Sequence, residues 1–164
     1  MDSYAEYLVK RQPTAADMTK KALILVGGGA VTVIFLLLTI FYMPLLLFVA
    51  CAAGYGTWWL FTNQYIEYEY LLTNGELDID KIIGKRKRVR LLTVPVSAFT
   101  EFGKEEDGVT IPEDVTAVLA AGEGMETYAA DFQDDSMGAV RLIFSPNEKM
   151  LDTMKPYLRA SVRR

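Results

Sequence analysis

The chain has 164 residues, 51% of them hydrophobic, with 17 basic side chains against 21 acidic ones, no histidine and one cysteine. Without histidine there is no Ser-His-Asp or Cys-His pair and no imidazole metal site, and one cysteine makes neither an internal disulfide nor a four-thiolate zinc site. The apolar residues are gathered in one block, so the composition speaks of location and architecture and not of a reaction.

Met1 to Gln12 carries Tyr4, Tyr7 and Leu8 at helical spacing and stops at Pro13. This pattern predicts a short interfacial helix or, equally, a loosely ordered tail, because an isolated helix of about 12 residues is marginal in water. Thr14-Ala15-Ala16-Asp17 reads as a helix start. Thr14 can accept hydrogen bonds from exposed backbone amides, and Asp17 is favourable in the first turn.

From Ala22 to Phe61 there are 40 positions without Asp, Glu, Lys or Arg. One crossing of about 30 Å of hydrocarbon takes roughly 20 apolar residues, so the block predicts two spans, near 22–41 and 45–62. The break falls at Tyr42-Met43-Pro44, where proline suits the first turn of a second helix and not the interior of a single one. A cleaved signal peptide has a shorter apolar core and a small-residue cleavage site after it. Phe48-Val49-Ala50-Cys51 resembles a lipidation box but lies far from Met1, inside a second apolar stretch, so Cys51 reads as a packing residue.

Short basic flanks stay on the cytoplasmic side. Lys10, Arg11, Lys20 and Lys21 precede the first span, and Lys81, Lys85, Arg86, Lys87, Arg88 and Arg90 follow the second, while the reversal is uncharged. A multi-pass protein of the plasma membrane with both termini cytoplasmic is the expectation. Trp58 and Trp59 fit the cytoplasmic headgroup level. Ala50 and Gly54, and Ala52 and Gly56, are small residues four apart that would let helices approach closely, within one chain or between copies. Gly27-Gly28-Gly29 has no following lysine at phosphate-loop spacing and reads as packing.

After the apolar block the pattern changes to period two. Ile66, Tyr68, Tyr70 and Leu72 alternate with Glu67 and Glu69, Thr73-Asn74-Gly75 signals a tight turn, and Leu77 and Ile79 alternate with Asp78 and Asp80. A third strand follows Gly84, with Val89 and Leu91 inward and Arg88 and Arg90 outward. Pairing Ile79 with Val89 would set Asp80 beside Arg88 and Asp78 beside Arg90. Further strands are expected near 99–103, 116–121, 126–132 and 140–144, with a polar loop over 104–114. Ser145-Pro146-Asn147-Glu148 reads as a capping box, and Met150, Leu151, Met154, Tyr157 and Leu158 as the stripe of a closing helix that Pro156 kinks or divides.

About seven short antiparallel strands and a C-terminal amphipathic helix form the element order of the pleckstrin-homology (PH) superfold. Two segments carry a more specific resemblance: Tyr65 to Ile83 followed by the basic run, and Leu142 to Leu151 continuing to Met154-Lys155-Pro156. With the preceding apolar block, they resemble small bacterial two-span membrane proteins with a PH-like domain, in an uncharacterised domain-of-unknown-function family. The resemblance implies an α+β membrane protein: a transmembrane helical hairpin followed by a PH-like antiparallel β-barrel or sandwich capped by a helix. It divides the chain into a cytoplasmic segment 1–21, a hairpin 22–62 and a domain 63–164. No activity is assigned to that family, so no catalytic residue transfers.

The basic run Lys85, Arg86, Lys87, Arg88 and Arg90 is the main candidate site. A strand leaving the bilayer and a second returning by a similar length bring this hairpin tip back to the headgroups. The competing reading pairs Arg88 with Asp80 and Arg90 with Asp78 and leaves the other basic residues solvated. Eukaryotic lipid-binding PH domains carry basic ligands around the first hairpin, which here is Thr73-Asn74-Gly75, so phosphoinositide recognition does not carry over. Residues 101–140 hold 11 acidic and one basic side chain, which argues against nucleic acid. That region reads as solvated surface, then as a partner-binding face, then as a weak calcium site at Asp131, Asp134 and Asp135, which lack the calcium-loop spacing. The expected protein is a membrane-anchored binding or scaffold protein without catalytic residues, metal or cofactor, touching the lipid bilayer and a protein partner or a second copy. The alternative class is a membrane-associated enzyme using the acidic 101–140 region.

Overall fold

The structure, a computed structural model, describes residues 3–11, 13–105 and 111–162. The chain divides into two compact units, 13–66 and the residues on either side of it, 1–12 with 67–164.

The first unit is helical. Helix α1 spans Ala15–Phe41 and α2 spans Leu46–Thr62. Thr14 and Asp17 form the expected reciprocal cap: the Thr14 hydroxyl accepts from Asp17 N at 3.2 Å, and the Asp17 carboxylate accepts from Thr14 N at 3.0 Å. This cap starts α1 seven residues before the apolar block, at Ala15. Pro44 lies in the turn ahead of α2, where its carbonyl accepts from Leu47 N at 3.1 Å. Helix α1 is long and apolar enough to cross a membrane, whereas α2, with 17 residues, is a shorter apolar helix.

The second unit is built from two four-stranded sheets. Strands β1 (Tyr4–Lys10), β2 (Ile66–Thr73), β3 (Glu76–Ile83) and β4 (Lys87–Pro95) form the first, in that order. Strands β5 (Glu101–Lys104), β6 (Thr116–Ala120), β7 (Tyr128–Asp134) and β8 (Gly138–Phe144) form the second in the order β5-β7-β8-β6. Helix α3, Glu148–Met154, closes the unit and passes into a 3-10 turn at Lys155–Tyr157, so the expected helix through Leu158 is divided ahead of Pro156.

Four expectations are corrected. Tyr4–Lys10 is an edge strand, not an interfacial helix or a loose tail: it pairs antiparallel with β2 from Tyr4↔Thr73 to Lys10↔Glu67. Ala5 and Val9, at 1% and 2% exposure, lie in the core, while Leu8 is 48% exposed. The domain therefore does not begin at residue 63, because its first strand precedes both helices. Strand β6 runs parallel to β8, so the second sheet is mixed, and the eight strands close no barrel. Among the described residues, the backbone contacts between the sheets are the bridge Arg11↔Gly122 and a bond from Glu123 N to Lys10 O. Finally, Asn147, not Ser145, caps α3: its side chain accepts from Met150 N at 2.8 Å.

Ser145 has a different task. It is buried, its Oγ accepts from Gly122 N at 3.0 Å, and its N–H donates to the Tyr70 hydroxyl at 3.2 Å. The same hydroxyl donates to Ala120 O, so one phenol joins β2 to the end of β6 and to the entry of α3. Burial pushes the Tyr70 pKa well above the usual phenol range. Around it the core is apolar, with Leu72, Leu77, Ile79, Phe99, Leu142, Phe144, Met150 and Met154 fully buried.

Candidate functional site

The basic hairpin is built from β3, β4 and the turn between them. Three residues, 84–86, connect the paired Ile83 and Lys87; Gly84 at φ 59° and Lys85 at φ 57° occupy the left-handed region, and Arg86 N donates to Ile83 O at 3.1 Å to close the turn. The turn presents Lys85, Arg86 and Lys87 as exposed side chains.

Beyond the turn the register departs from expectation. A bulge between Ile79 and Asp80 puts Ile79 opposite Leu92 and Asp80 opposite Arg90, while Lys81 lies opposite Val89 and Ile82 opposite Arg88. The extra residue on β4, Leu91, changes which face the following side chains occupy. Leu92 and Val94 take the inward positions, and Val89, expected inside, is 38% exposed.

The bulge also rearranges the charges. Arg90 reaches both carboxylates: its Nη1 is 2.6 Å from Asp78 Oδ1, and its Nε donates to Asp80 Oδ1. Arg88 lies 2.8 Å from Glu69 Oε2 and 4.0 Å from Asp80 Oδ2. Thr93 Oγ1 accepts from Arg90 at 2.9 Å and donates to Asp78 at 2.5 Å. Asp80 is 7% exposed, so these contacts hold a nearly buried carboxylate under two guanidinium groups. The hydrogen bond to Asp80 raises the Arg90 pKa. Five expected lipid-facing cations thus divide into two engaged with carboxylates, Arg88 and Arg90, and three at the tip, Lys85, Arg86 and Lys87.

In the helical unit, the two small-residue pairs also part. Ala50 is buried, and a Cβ on Gly54 would lie 3.6 Å from Thr32 Cγ2, so this pair faces α1. Gly28 of α1 comes so close to Thr57 that a Cβ there would collide with it. Ala52 is exposed, and a Cβ on Gly56 would meet nothing within 4 Å. Trp58 and Trp59 are exposed on the last turns of α2, and the Lys21 ammonium lies 4.6 Å from the Tyr65 ring centroid.

In the acidic region, three carboxylates among the described residues have structural partners, Glu126, Asp131 and Asp134. Asp131 forms a bidentate pair with Arg141 at 2.7 and 2.5 Å. Asp134 ties the β7–β8 turn, accepting from Ser136 N, Ser136 Oγ and Met137 N at 2.8, 2.6 and 2.9 Å, and these bonds hold its pKa below the usual carboxylate range. Among the described residues no three metal-ligating side chains come together. Glu106 and Asp107, part of the acidic count, lie outside the described residues. A cleft of about 800 Å³ runs between β5 and α3, lined by Phe102, Tyr128, Leu151, Leu158, Lys104 and Lys155. Its two lysines are already bonded to Glu126 and Asp152, each within 2.9 Å.

Sequence reasoning missed two contributors, β1 and the β4 bulge. The period-two run Ala5, Tyr7 and Val9, with Glu6 and Lys10 outside it, carried the strand signal, which Tyr4, Tyr7 and Leu8 at helical spacing obscured.

A family model described as a bacterial PH-like domain (DUF6106) matches residues 1–164. No curated protein and no solved structure matches the chain.

Proposed function

Since the chain belongs to the bacterial PH-like domain family DUF6106, we propose that it is a membrane-anchored binding or scaffold protein without catalytic machinery of its own. In this reading α1 and α2 cross the bilayer as a hairpin and hold the β-rich unit, with both chain ends, on the cytoplasmic side. One observation carries the topology: β1 and β2, which flank the helices in sequence, are hydrogen-bonded neighbours over seven residue pairs. Strands of one sheet lie on one side of a membrane, so the chain between them crosses an even number of times. If α1 crosses, α2 returns. Its 17 residues reach about 25 Å at 1.5 Å per residue, the short end of what a span requires. The basic flank of α1 supports the cytoplasmic side.

The binding role rests on family membership and on the cleft between β5 and α3, which Phe102, Tyr128, Leu151 and Leu158 line. Single cysteines in a Cys51→Ala background test the topology. Met43→Cys should react in intact cells with a membrane-impermeant maleimide, and Ser97→Cys should react only after lysis. Labelling of both from one side, or recovery of the chain in the aqueous fraction without detergent, would refute it. Crosslinking in native membranes would then identify the bound protein or a second copy.

A further inference from the structure

Building on the membrane-anchored reading, we propose that the β3–β4 tip, Lys85, Arg86 and Lys87 with Val89 beside it, rests on the anionic phospholipid headgroups of the same leaflet. Three features of the β-rich unit lead there.

The tip lies at the correct end of the sheet. Strands β2 and β3 have eight residues each and share the Asn74–Gly75 turn, so the start of β2 and the end of β3 lie at one end. The Lys10↔Glu67 pair lies at that end too, and from it the chain continues towards α1 and returns from α2. The connections are residues 11–14 and 63–65. At about 3.5 Å per step, the five steps from Lys10 to Ala15 and the four from Thr62 to Ile66 span no more than roughly 18 and 14 Å, so the sheet end stays within reach of the headgroup layer.

Two of the cations at the tip, Lys85 and Lys87, are uncompensated among the described residues. Arg88 and Arg90 are engaged by Glu69, Asp78 and Asp80. Lys85 and Lys87 have no carboxylate within ion-pair distance among the described residues, and Arg86 adds a third exposed cation. Lys10, at the neighbouring strand end, is opposite Glu67 and adds no net charge.

The shape selects a surface over a small ligand. A hairpin tip of three residues is convex, and exposed Val89 gives it an apolar shoulder next to the cations. A free phosphate needs donors converging on a point, whereas a plane of headgroups meets cations fanned across a tip.

The full chain in lipid nanodiscs provides the test, with a fluorophore at Val89→Cys or, as the remote control, at Ser97→Cys, both in a Cys51→Ala background. Headgroup-spin-labelled lipid reports proximity by quenching. With phosphatidylglycerol in the disc, the probe at 89 should be quenched far more than the probe at 97. Each free basic residue near an anionic surface multiplies the docked-to-undocked ratio about fivefold, so the loss of Lys85 and Lys87 in the triple variant Lys85→Asn, Arg86→Gln and Lys87→Gln should lower it at least about 25-fold. Asparagine at 85 tolerates the left-handed backbone, and an unchanged near-ultraviolet circular dichroism spectrum verifies the fold of the triple variant. Salt near 1 M, where the Debye length falls to about 3 Å, should release the tip as well. Equal quenching in purely phosphatidylcholine discs, or in the triple variant, overturns the proposal while leaving the anchor intact. Release by inorganic phosphate at constant ionic strength would identify an ion site and overturn it too. Failure of the chain to remain with the discs without detergent would refute the anchor itself.

Discussion

Val9→Ala and Leu8→Ala, made separately in the full chain, put the N-terminal strand to a direct test. Val9 is 2% exposed and Leu8 is 48% exposed. Truncating Val9 removes two buried methyl groups, about 0.8 kcal/mol each by transfer, and the cavity left behind raises the cost to about 2 kcal/mol. Collapse around the site is limited because Gly122 packs so closely that a Cβ there would lie 3.1 Å from Val9 Cβ. Leu8 faces outward, where substitutions stay within about 0.5 kcal/mol. At about 5 °C per kcal/mol for a domain near 100 residues, Val9→Ala should lower the unfolding midpoint by about 10 °C and Leu8→Ala by no more than about 3 °C. Thermal melting of the detergent-solubilised chain, followed by near-ultraviolet circular dichroism, reads both shifts. A helix burying Tyr4, Tyr7 and Leu8 would reverse the order, so a loss in Leu8→Ala equal to or greater than that in Val9→Ala refutes the strand assignment.

Tyr70→Phe should cost about 1 to 3 kcal/mol in the same assay, because it leaves Ala120 O and Ser145 N buried without their shared partner. The unfolded phenol ionises near pH 10 and the folded one only above that, so the wild-type protein loses stability as pH rises past about 10. Tyr70→Phe should show a smaller alkaline loss, and identical pH profiles would refute the burial argument. Gly75→Ala should cost more than Gly138→Ala, since both positions have positive φ, 86° and 76°, but only at 75 would the new Cβ strike the Tyr157 ring. Midpoints measured side by side separate the backbone penalty, about 1 kcal/mol at 138, from the added collision.

Local chemistry was readable from the chain, and long-range pairing was not. The Thr14–Asp17 cap, the Asn74–Gly75 turn and the division of the closing helix at Pro156 each depend on neighbours within four residues, and each stands where the sequence puts it. By contrast, β1 acquires its identity from β2, which follows 55 residues of intervening chain. Alternation reports which face of a strand is apolar but not the direction of its neighbour, so nothing in Thr116 to Ala120 revealed that β6 lies parallel to β8. The β4 bulge was hidden for a related reason. An alternating run of cations permits either register, and the choice is made by burial of Leu92 and Val94 together with the pull of Asp80 on Arg90. Ser145 looked like a helix cap because serine commonly serves as one, and only the burial of Tyr70 beside it assigns its hydroxyl to Gly122.

The position of β1 also bears on how α2 is understood. Judged alone, a 17-residue apolar helix is as compatible with a buried core element as with a short span. Its neighbours in the chain narrow that choice. A bilayer separating β1 from β2 would break seven residue pairs and strip Ala5 and Val9 from the core, a loss larger than the mismatch of a helix a few ångströms short. Snorkelling and interfacial anchoring can absorb such a mismatch, and Lys21, Trp58, Trp59 and Tyr65 supply residues suited to both. In the proposed topology, the fate of α2 is thus set by a strand that precedes it by 35 residues. On the proposed topology, Val9→Ala should therefore raise the labelling of Ser97→Cys in intact cells as well as lower the domain's unfolding midpoint.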